Sequence, residues 1–255
     1  MLTALTRRVS PRIAACELTF LPRVAIHFAK AAAQHRQYER KLETLGALVV
    51  SLPALDDQPD CVFVEDPALV LDEIAVIARM GAEARRGESE SLAEALAKYR
   101  PLVHIREPAT LDGGDVVRIA RTLYVGRSRR TNDEGVRQLH ELIAPHGYRV
   151  IPVEVRECLH LKSAFCAISE DAVLCNRQWI DVEPIGLEII EFAAEEPGAA
   201  DVLRIGETIL MPEAFPRTRE ILEKRGYRVE TVDVSELAKA EAGVTCMSLV
   251  FDANV

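Results

Sequence analysis

The chain has 255 residues, of which 49% are hydrophobic and 28% are charged. This composition is typical of a soluble globular protein with a substantial core. The formal net charge of −9 argues against a nucleic-acid partner, because neutralising phosphates requires a basic face. No segment approaches the roughly 18 apolar residues that span a bilayer, which argues against a membrane protein.

The N-terminal residues and the cysteines indicate the compartment. Arg7, Arg8 and Arg12 interrupt the stretch that would be apolar in a signal peptide. Six cysteines are too few for a disulfide scaffold, and none forms a C-x-x-C pair. We therefore expect a cytoplasmic protein with free thiols.

The first predicted helix covers residues 25–45 and is amphipathic and heavily charged, so it should lie on the outside. From its end onwards, a helix that stops at glycine and is followed by a short β-branched strand recurs along the chain. The clear copies are 39–53, 139–155 and 218–234, with helix ends at Gly46, Gly147 and Gly226, and a weaker copy is 91–107, where Pro101 ends the helix.

Pairs of short predicted strands alternate with these copies. They lie at 68–79, 115–126, 164–175 and 202–212. The repeating unit is thus strand, loop, hairpin and helix, about 45–50 residues long, and the chain holds about five of them. Units that cannot bury their own apolar faces must pack on their neighbours, which favours a closed ring. A doubly wound sheet of alternating strands and helices is the alternative.

Four short polar motifs recur at equivalent places in these units. Glu65 and Asp66 lie in FVEDP, Asp112 in LDGGDV, His160 in LHLKS and Cys246 in VTCMSL. Counted from Glu65, the steps are 47, 48 and 86 residues, and the last step passes over a fourth unit near position 201 that has no evident catalytic residue. We expect each unit to aim one loop at a shared centre.

Cys246 is the candidate nucleophile. A free cysteine is most often a core residue, but here Thr245 and Ser248 make its surroundings polar, and Gly243 allows a sharp turn into the predicted final strand. A thiolate needs nearby positive charge to lower its pKa. The other five cysteines have apolar neighbours and should serve packing.

His160 lies between leucines and would by default be a core residue. Its position in the unit suggests instead that it holds the thiolate and transfers protons. The turn at 111–116 carries two carboxylates, of which Asp112 would orient His160 and Asp115 would bind a cationic ligand. Taken alone, Asp-Gly-Gly is also an ordinary turn.

Charged residues elsewhere suggest how a substrate binds. Asp60, Glu65 and Asp66 form either a solvated loop or an acidic cradle for a planar cation such as guanidinium. The pairs Arg85-Arg86 and Arg129-Arg130 are surface charges by default, and would otherwise bind a substrate α-carboxylate. Together these groups fit an amino acid with a basic side chain.

The motifs as a set resemble the dimethylarginine dimethylaminohydrolases, which belong to the guanidino-group modifying superfamily with arginine deiminases and amidinotransferases. The resemblance covers nearly the whole chain. Its motifs are CELTF (16–20), VFVEDP (62–67), GAEARRGE (81–88), LDGGDV (111–116), RRTNDEG (129–135), LHLKS (159–163), PRTRE (216–220) and CMSL (246–249).

The resemblance implies an α/β fold, a five-bladed β/α propeller with a pseudo-fivefold repeat of ββαβ-type units, forming one catalytic domain over residues 1–255. It also implies a homodimer. In the implied site Cys246 is the nucleophile, His160 the general acid and base, and Asp112 the carboxylate that orients it. The implied substrate-binding residues are Leu18, Asp60, Glu65, Asp66, Arg85 and Arg130, with Leu18 in the loop that closes over the site.

The implied reaction converts a methylated arginine to citrulline and an amine through a covalent thiouronium on Cys246, and needs no metal or organic cofactor. Arginine deimination is the alternative within the superfamily, although those enzymes are usually longer. A non-catalytic protein that binds metal through Cys246, His160 and Asp112 is the alternative outside it. The chain departs from the family pattern at Ala240-Glu241-Ala242-Gly243 and at Asp201, where Asn is common.

Overall fold

The computed structural model describes residues 1–181 and 186–254. In this part of the chain, fifteen strands form five separate sheets of three strands each. The strands are β1 (Leu2–Arg7), β2 (Leu48–Leu52), β3 (Ala68–Val70), β4 (Ala75–Ile77), β5 (Leu102–His104), β6 (Val116–Ile119), β7 (Thr122–Arg127), β8 (Arg149–Glu154), β9 (Phe165–Ala167), β10 (Ala172–Cys175), β11 (Glu188–Glu191), β12 (Leu203–Ile205), β13 (Thr208–Pro212), β14 (Arg228–Val232) and β15 (Leu249–Asp252). The α-helices are α1 (Phe28–Thr44), α2 (Ser89–Leu96), α3 (Asp133–Ile143) and α4 (Pro216–Lys224).

Each sheet is built the same way. The first two strands pair antiparallel, through a hairpin in four of the sheets, and the third strand returns parallel to the second, as in β6–β7–β8. Because a parallel return needs a crossover, a helix separates the second and third strands in four sheets. Between β10 and β11 the described residues contain no helix.

The two ends of the chain share one sheet. Strand β15 pairs antiparallel with β1, with Leu2 opposite Asp252, and β2 lies parallel to β1 on the other side. The last strand therefore completes the sheet that the first strand begins. Five units of strand, loop, hairpin and helix were predicted, and the four predicted hairpins are all present. The alternative of one doubly wound sheet is wrong, because the sheets are separate.

The core follows the order of the sheets. Five buried clusters each join residues of two neighbouring sheets, and together they connect every sheet to the next around the ring. They are Leu5 with Ile77, Val76 with Leu123, Val117 with Phe165, Leu174 with Ile209, and Leu210 with Ala4. A three-stranded sheet buries too little apolar surface alone, so the ring explains how these short strands are stabilised.

The helix ends match the sequence pattern. Gly46, Gly147 and Gly226 have φ of +96°, +78° and +89°, the left-handed conformation that glycine adopts without a Cβ penalty. Helix α1 is three residues shorter at its start than predicted, and it buries one face through Tyr38 and Leu42. Among the described residues, every helix is too short or too polar to cross a bilayer.

Candidate active site

The loop before the first strand of each sheet carries a polar or nucleophilic side chain towards the centre of the ring. Asp66 precedes β3, Asp112 precedes β6, His160 precedes β9, Asp201 precedes β12, and Cys246 precedes β15. Successive members are 41 to 48 residues apart. The predicted motifs thus meet at one centre, and the fourth unit contributes Asp201.

His160 is held by Asp112. Its Nε2 lies 3.0 Å from Asp112 Oδ2, and both side chains are buried. Asp112 is itself oriented, because its Oδ1 accepts a hydrogen bond from the Gly81 backbone N–H at 2.8 Å. A Cβ at Gly114 would lie 2.6 Å from His160 Nδ1, so this glycine lets the imidazole pack against the backbone.

The surroundings of His160 favour its protonated form. Burial alone would lower the pKa of this imidazole, but Asp66, Asp112 and Asp115 raise it to about 9. Asp66 Oδ1, which has no hydrogen bond, lies 3.8 Å from His160 Nδ1. His160 is therefore an imidazolium at neutral pH and can donate a proton.

The surroundings of Cys246 favour its neutral thiol. Its Sγ accepts a hydrogen bond from Gly243 N–H at 3.3 Å. Burial, followed by the negative charges of Asp201, Glu65 and Asp66, raises the pKa of the thiol well above its usual value. The free protein therefore holds a neutral thiol, and the thiolate needs a further positive charge.

The acidic loop supplies buried acceptors near this thiol. Glu65 Oε1 pairs with Lys162 Nζ at 2.6 Å, and Asp66 Oδ2 accepts from Arg85 at 2.6 Å. The second oxygen of each carboxylate, Glu65 Oε2 and Asp66 Oδ1, is buried without a hydrogen bond. Asp60 accepts from the Glu17 backbone N–H at 3.1 Å. The loop is therefore buried, and two of its oxygens are free to accept from a cation.

The pKa values of these acids differ. Burial raises the pKa of Asp60 and of Glu65. Burial also acts to raise that of Asp66, but His160 and Arg85 outweigh it, and the pKa is lowered. Asp66 is thus the member of the loop whose negative charge the surroundings favour.

The two arginines predicted to bind a carboxylate are buried and line the same cavity. Arg85 donates to Asp66 and, through Nε and Nη2, to both oxygens of Glu88. Arg130 Nη2 donates to Thr19 Oγ1 at 3.1 Å, while Arg130 Nη1 is buried without a hydrogen bond. Arg130 therefore keeps a donor available for an anion.

The cavity between these groups is small. Asp60, Asp66, Arg85, Arg130, His160 and Cys246 line it, and its volume is about 20 Å³, room for one or two waters. Leu18 does not line it but packs beside it, against a cluster that contains Phe63 and Ala240. A ligand the size of arginine would have to displace the segment around Leu18.

Asp115 does not have its predicted role. It accepts hydrogen bonds from the Leu161 N–H and from the hydroxyls of Ser128 and Thr131, and it is buried. It therefore joins the loops before β6 and β9 and has no site for a cationic ligand. The five cysteines other than Cys246 are buried and unbridged, as predicted.

Three residues of the centre escaped the sequence analysis as functional candidates. Asp201 accepts from the N–H and the hydroxyl of Thr245, beside the nucleophile. Lys162 pairs with Glu65, and Glu241 bonds the segment around Thr19. For Asp201 the available signal was its position, directly before a predicted hairpin like the other motifs.

The metal-binding alternative needs Cys246, His160 and Asp112 together. Within residues 1–181 and 186–254, the ligand atoms that gather are those of Asp66, Asp112 and His160, all within 4.8 Å of one another. Cys246 is not in this group, and His160 Nε2 is already bonded to Asp112. The predicted ligand set is therefore not assembled.

Comparison with known proteins identifies the family. The model of "N,N dimethylarginine dimethylhydrolase, eukaryotic" matches residues 20–184. A Streptomyces coelicolor protein named N(G),N(G)-dimethylarginine dimethylaminohydrolase is 40% identical over 247 residues, covering 96% of this chain and 95% of the relative. The chain belongs to the dimethylarginine dimethylaminohydrolase family.

Solved structures of dimethylarginine dimethylaminohydrolases share the fold. A cysteine-to-serine mutant of the Pseudomonas aeruginosa protein, complexed with citrulline, matches with a TM-score of 0.93 and 35% identity over 98% of this chain and all of that one. A histidine-to-glycine mutant, as an adduct with S-methyl-L-thiocitrulline, matches equally well. The five-bladed β/α propeller expected from the resemblance is thus confirmed.

Proposed function

We propose that this chain hydrolyses Nω-methylated arginine to citrulline and methylamine or dimethylamine, with Cys246 as nucleophile. The observation that carries the proposal is the pattern of buried, unbonded polar atoms around one cavity. Asp66 Oδ1 is a free acceptor and Arg130 Nη1, 3.8 Å from Asp112 Oδ2, is a donor without a hydrogen bond, and both residues line the cavity. Glu65 Oε2 is a free acceptor beside the cavity, in the residue whose backbone N–H donates to Cys246 O. Buried polar groups are normally paired, so these atoms match a ligand that carries both a cation and an anion.

The substrate fits this pattern in one orientation. Its guanidinium would donate to the free oxygens of Glu65 and Asp66, and its α-carboxylate would accept from Arg130. Planar N–H donors suit carboxylates, and guanidinium donors suit a carboxylate anion. Asp60 and Arg85 line the same cavity. We propose that Asp60 helps to bind the guanidinium and Arg85 the α-carboxylate, and that Leu18 closes over the bound substrate.

Substrate binding prepares the nucleophile. The thiol of Cys246 is neutral because burial and the surrounding acids raise its pKa, and a bound guanidinium places a positive charge beside it. Opposite charge favours the thiolate, so the substrate itself lowers the pKa of the thiol. The thiol releases its proton to solvent, and the thiolate attacks the guanidinium carbon and forms a C–S bond, giving a tetrahedral adduct.

His160 moves the protons. As an imidazolium it donates one proton to the departing nitrogen, the C–N bond breaks, and methylamine or dimethylamine leaves while a thiouronium remains on Cys246. The neutral imidazole then takes a proton from water as the water oxygen attacks the same carbon. Collapse breaks the C–S bond, releases citrulline and returns the thiol. Asp112 holds the ring in orientation throughout.

A citrulline assay tests this function. Arginine, monomethylarginine and asymmetric dimethylarginine should be offered in parallel, with the released amine identified by mass spectrometry. We expect citrulline and an alkylamine from the methylated substrates. Preference for arginine with release of ammonia would overturn the substrate assignment in favour of deimination.

We also propose that the protein works in the cytoplasm, as one catalytic domain over residues 1–255 and as a homodimer. The buried free thiols and the pairing of β1 with β15 support the first two statements, and the family resemblance supports the third. Cell fractionation and sedimentation equilibrium test location and assembly.

A further inference from the structure

The segment of residues 17–22, here called the lid segment, is anchored at its base. Arg23 donates from Nη1 to Ala14 O at 2.8 Å and from Nη2 to Cys16 O at 2.7 Å. The Glu17 N–H donates to Asp60. The base of the lid segment is thus tied to the body of the protein on both sides, while Phe20 and Leu21 at its tip are exposed.

One side chain holds that tip. The backbone N–H groups of Thr19, Phe20 and Leu21 all donate to the carboxylate of Glu241. The N–H of Thr19 lies 3.1 Å from Oε1 and 3.0 Å from Oε2. Hydrogen bonds to an ionised acceptor are about twice as strong as neutral ones. Three successive donors on one carboxylate therefore make Glu241 the main polar contact of the tip.

The backbone of Glu241 is unusual in a way that fits this role. Its φ of +60° and ψ of 22° lie in the left-handed region, where it ends the short 3-10 helix Leu237–Ala240. A residue with a side chain adopts this conformation at a cost and keeps it only when the surroundings demand it. The hydrogen bonds with the lid segment keep Glu241 in this conformation.

Glu241 also belongs to the wall of the catalytic cavity, together with its neighbours Ala240 and Ala242. The lid segment reaches the same cavity from the other side, because Thr19 Oγ1 accepts from Arg130. With only about 20 Å³ inside, no arginine enters until the tip of the lid segment moves. Any such movement must break the contacts with Glu241.

We propose that Glu241 is the latch of the lid segment, a positioning residue whose carboxylate holds residues 19–21 closed over the Cys246 site. The latch lowers the rate at which the site opens and helps retain a bound guanidino substrate. Its kinetic consequence rests on the proposed function, whereas its effect on the backbone of the lid segment does not.

Amide hydrogen exchange tests the latch without turnover. Glu241→Gln keeps the size of the side chain and removes its charge, and Glu241→Gly removes the side chain while easing the left-handed backbone, so folding is preserved. We expect exchange at Thr19, Phe20 and Leu21 to rise about tenfold or more in both variants. The matched control is Glu213→Gln, an exposed acid near the lid segment, which should leave these three amides unchanged.

Kinetics with asymmetric dimethylarginine give the second measurement. In Glu241→Gly we expect KM to rise about 3- to 10-fold with kcat within about twofold, because the lid aids retention and not the chemical step. Unchanged exchange at the three amides in both variants would overturn the proposal. So would an equal rise in Glu213→Gln, or a loss of kcat above about tenfold with KM unchanged, which would place Glu241 in the chemistry.

Discussion

His160 and Cys246 line one cavity, but their surroundings carry different balances of charge. Around His160, the carboxylates of Asp66 and Asp112 face an imidazolium, and Arg85 binds Asp66 as well. Around Cys246, the carboxylates of Asp201, Glu65 and Asp66 act on a neutral thiol, and the ammonium of Lys162 is engaged by Glu65. His160 is thus charged without a ligand, whereas Cys246 is neutral and its pKa is raised mainly by burial and by carboxylates.

This difference indicates how the two halves of the site divide the work. Proton transfer needs a group whose charge state is already set, and the acids around His160 set it. Nucleophilic attack needs a thiolate, and here the missing charge is the one that a guanidinium substrate carries. An acid-rich setting therefore selects cationic substrates and keeps the thiol unreactive in their absence.

The largest effect should follow from removing the nucleophile. We expect Cys246→Ala to reduce citrulline formation by about 10⁴-fold or more, because no other group would form the covalent bond. The variant should fold normally by circular dichroism. The control Cys175→Ala changes a buried cysteine of β10 and should stay active. Citrulline formation undiminished in Cys246→Ala would remove the covalent mechanism.

A second large effect should arise on the histidine side. Asp112→Asn removes a negative charge that raises the pKa of His160, and we expect kcat/KM to fall about 10²- to 10⁴-fold. In the wild type the acid form of His160 is required, so kcat/KM should decline as the pH rises through about 9. In the variant this decline should move to lower pH. An unmoved pH profile would show that Asp112 does not set the charge of the ring.

The buried pair of the cysteine side should matter for stability. Lys162→Met leaves the buried Glu65 without its partner. Because 17% of the Lys162 side chain is exposed, the cost in the free energy of unfolding should lie at or below the roughly 3–5 kcal/mol of a fully buried ion pair. Denaturant unfolding measures this loss, and the double variant Glu65→Gln/Lys162→Met should recover part of it. Lys224→Met, which removes an exposed pair with Glu220, should change little. Equal losses of unfolding free energy in Lys162→Met and Lys224→Met would contradict the account.

The smallest effect should come from Asp201. Asp201→Asn preserves the shape, and its amide can still bond the N–H and hydroxyl of Thr245. Burial raises the pKa of Asp201 to about 7, so its charge is largely present at about pH 8. Removing that charge should lower the pKa of the Cys246 thiol and speed its alkylation at about pH 8 by about 3- to 10-fold. The rate is read at the Cys246 peptide by mass spectrometry. The exposed control Asp171→Asn should not change it, and a slower rate in Asp201→Asn would reverse the assigned role of this charge.

The fold was predictable because its signals are local and repeat. Glycine at helix ends, such as Gly46 and Gly147, and short β-branched runs mark each unit, and the repetition implies a ring. Individual contacts depend on how the loops meet across that ring. Glu241 and Thr19 are more than 200 residues apart in sequence, so no spacing rule predicts their contact.

In the candidate site, too, contacts between distant residues could be predicted only in part. The motifs around Asp112 and His160 could be placed at one centre, and their contact is present. The neutral thiol of Cys246 in the free protein could not be predicted, because burial and the carboxylate of Asp201 act through space. Asp115 looked like a ligand residue in sequence, yet it is fully hydrogen-bonded inside the protein. Burial, which sequence cannot show for single polar residues, decides both cases.

The most direct test of the account is the ultraviolet absorbance of the Cys246 thiolate as a function of pH, taken as the difference between the wild type and Cys246→Ser. It should be measured in the free protein and with saturating L-lysine, a cationic amino acid that has no guanidinium carbon to attack. The account predicts little thiolate at neutral pH in the free protein, and a titration displaced to lower pH when the cation is bound. A thiolate already formed at neutral pH without a ligand, or a titration that the cation leaves in place, would contradict it.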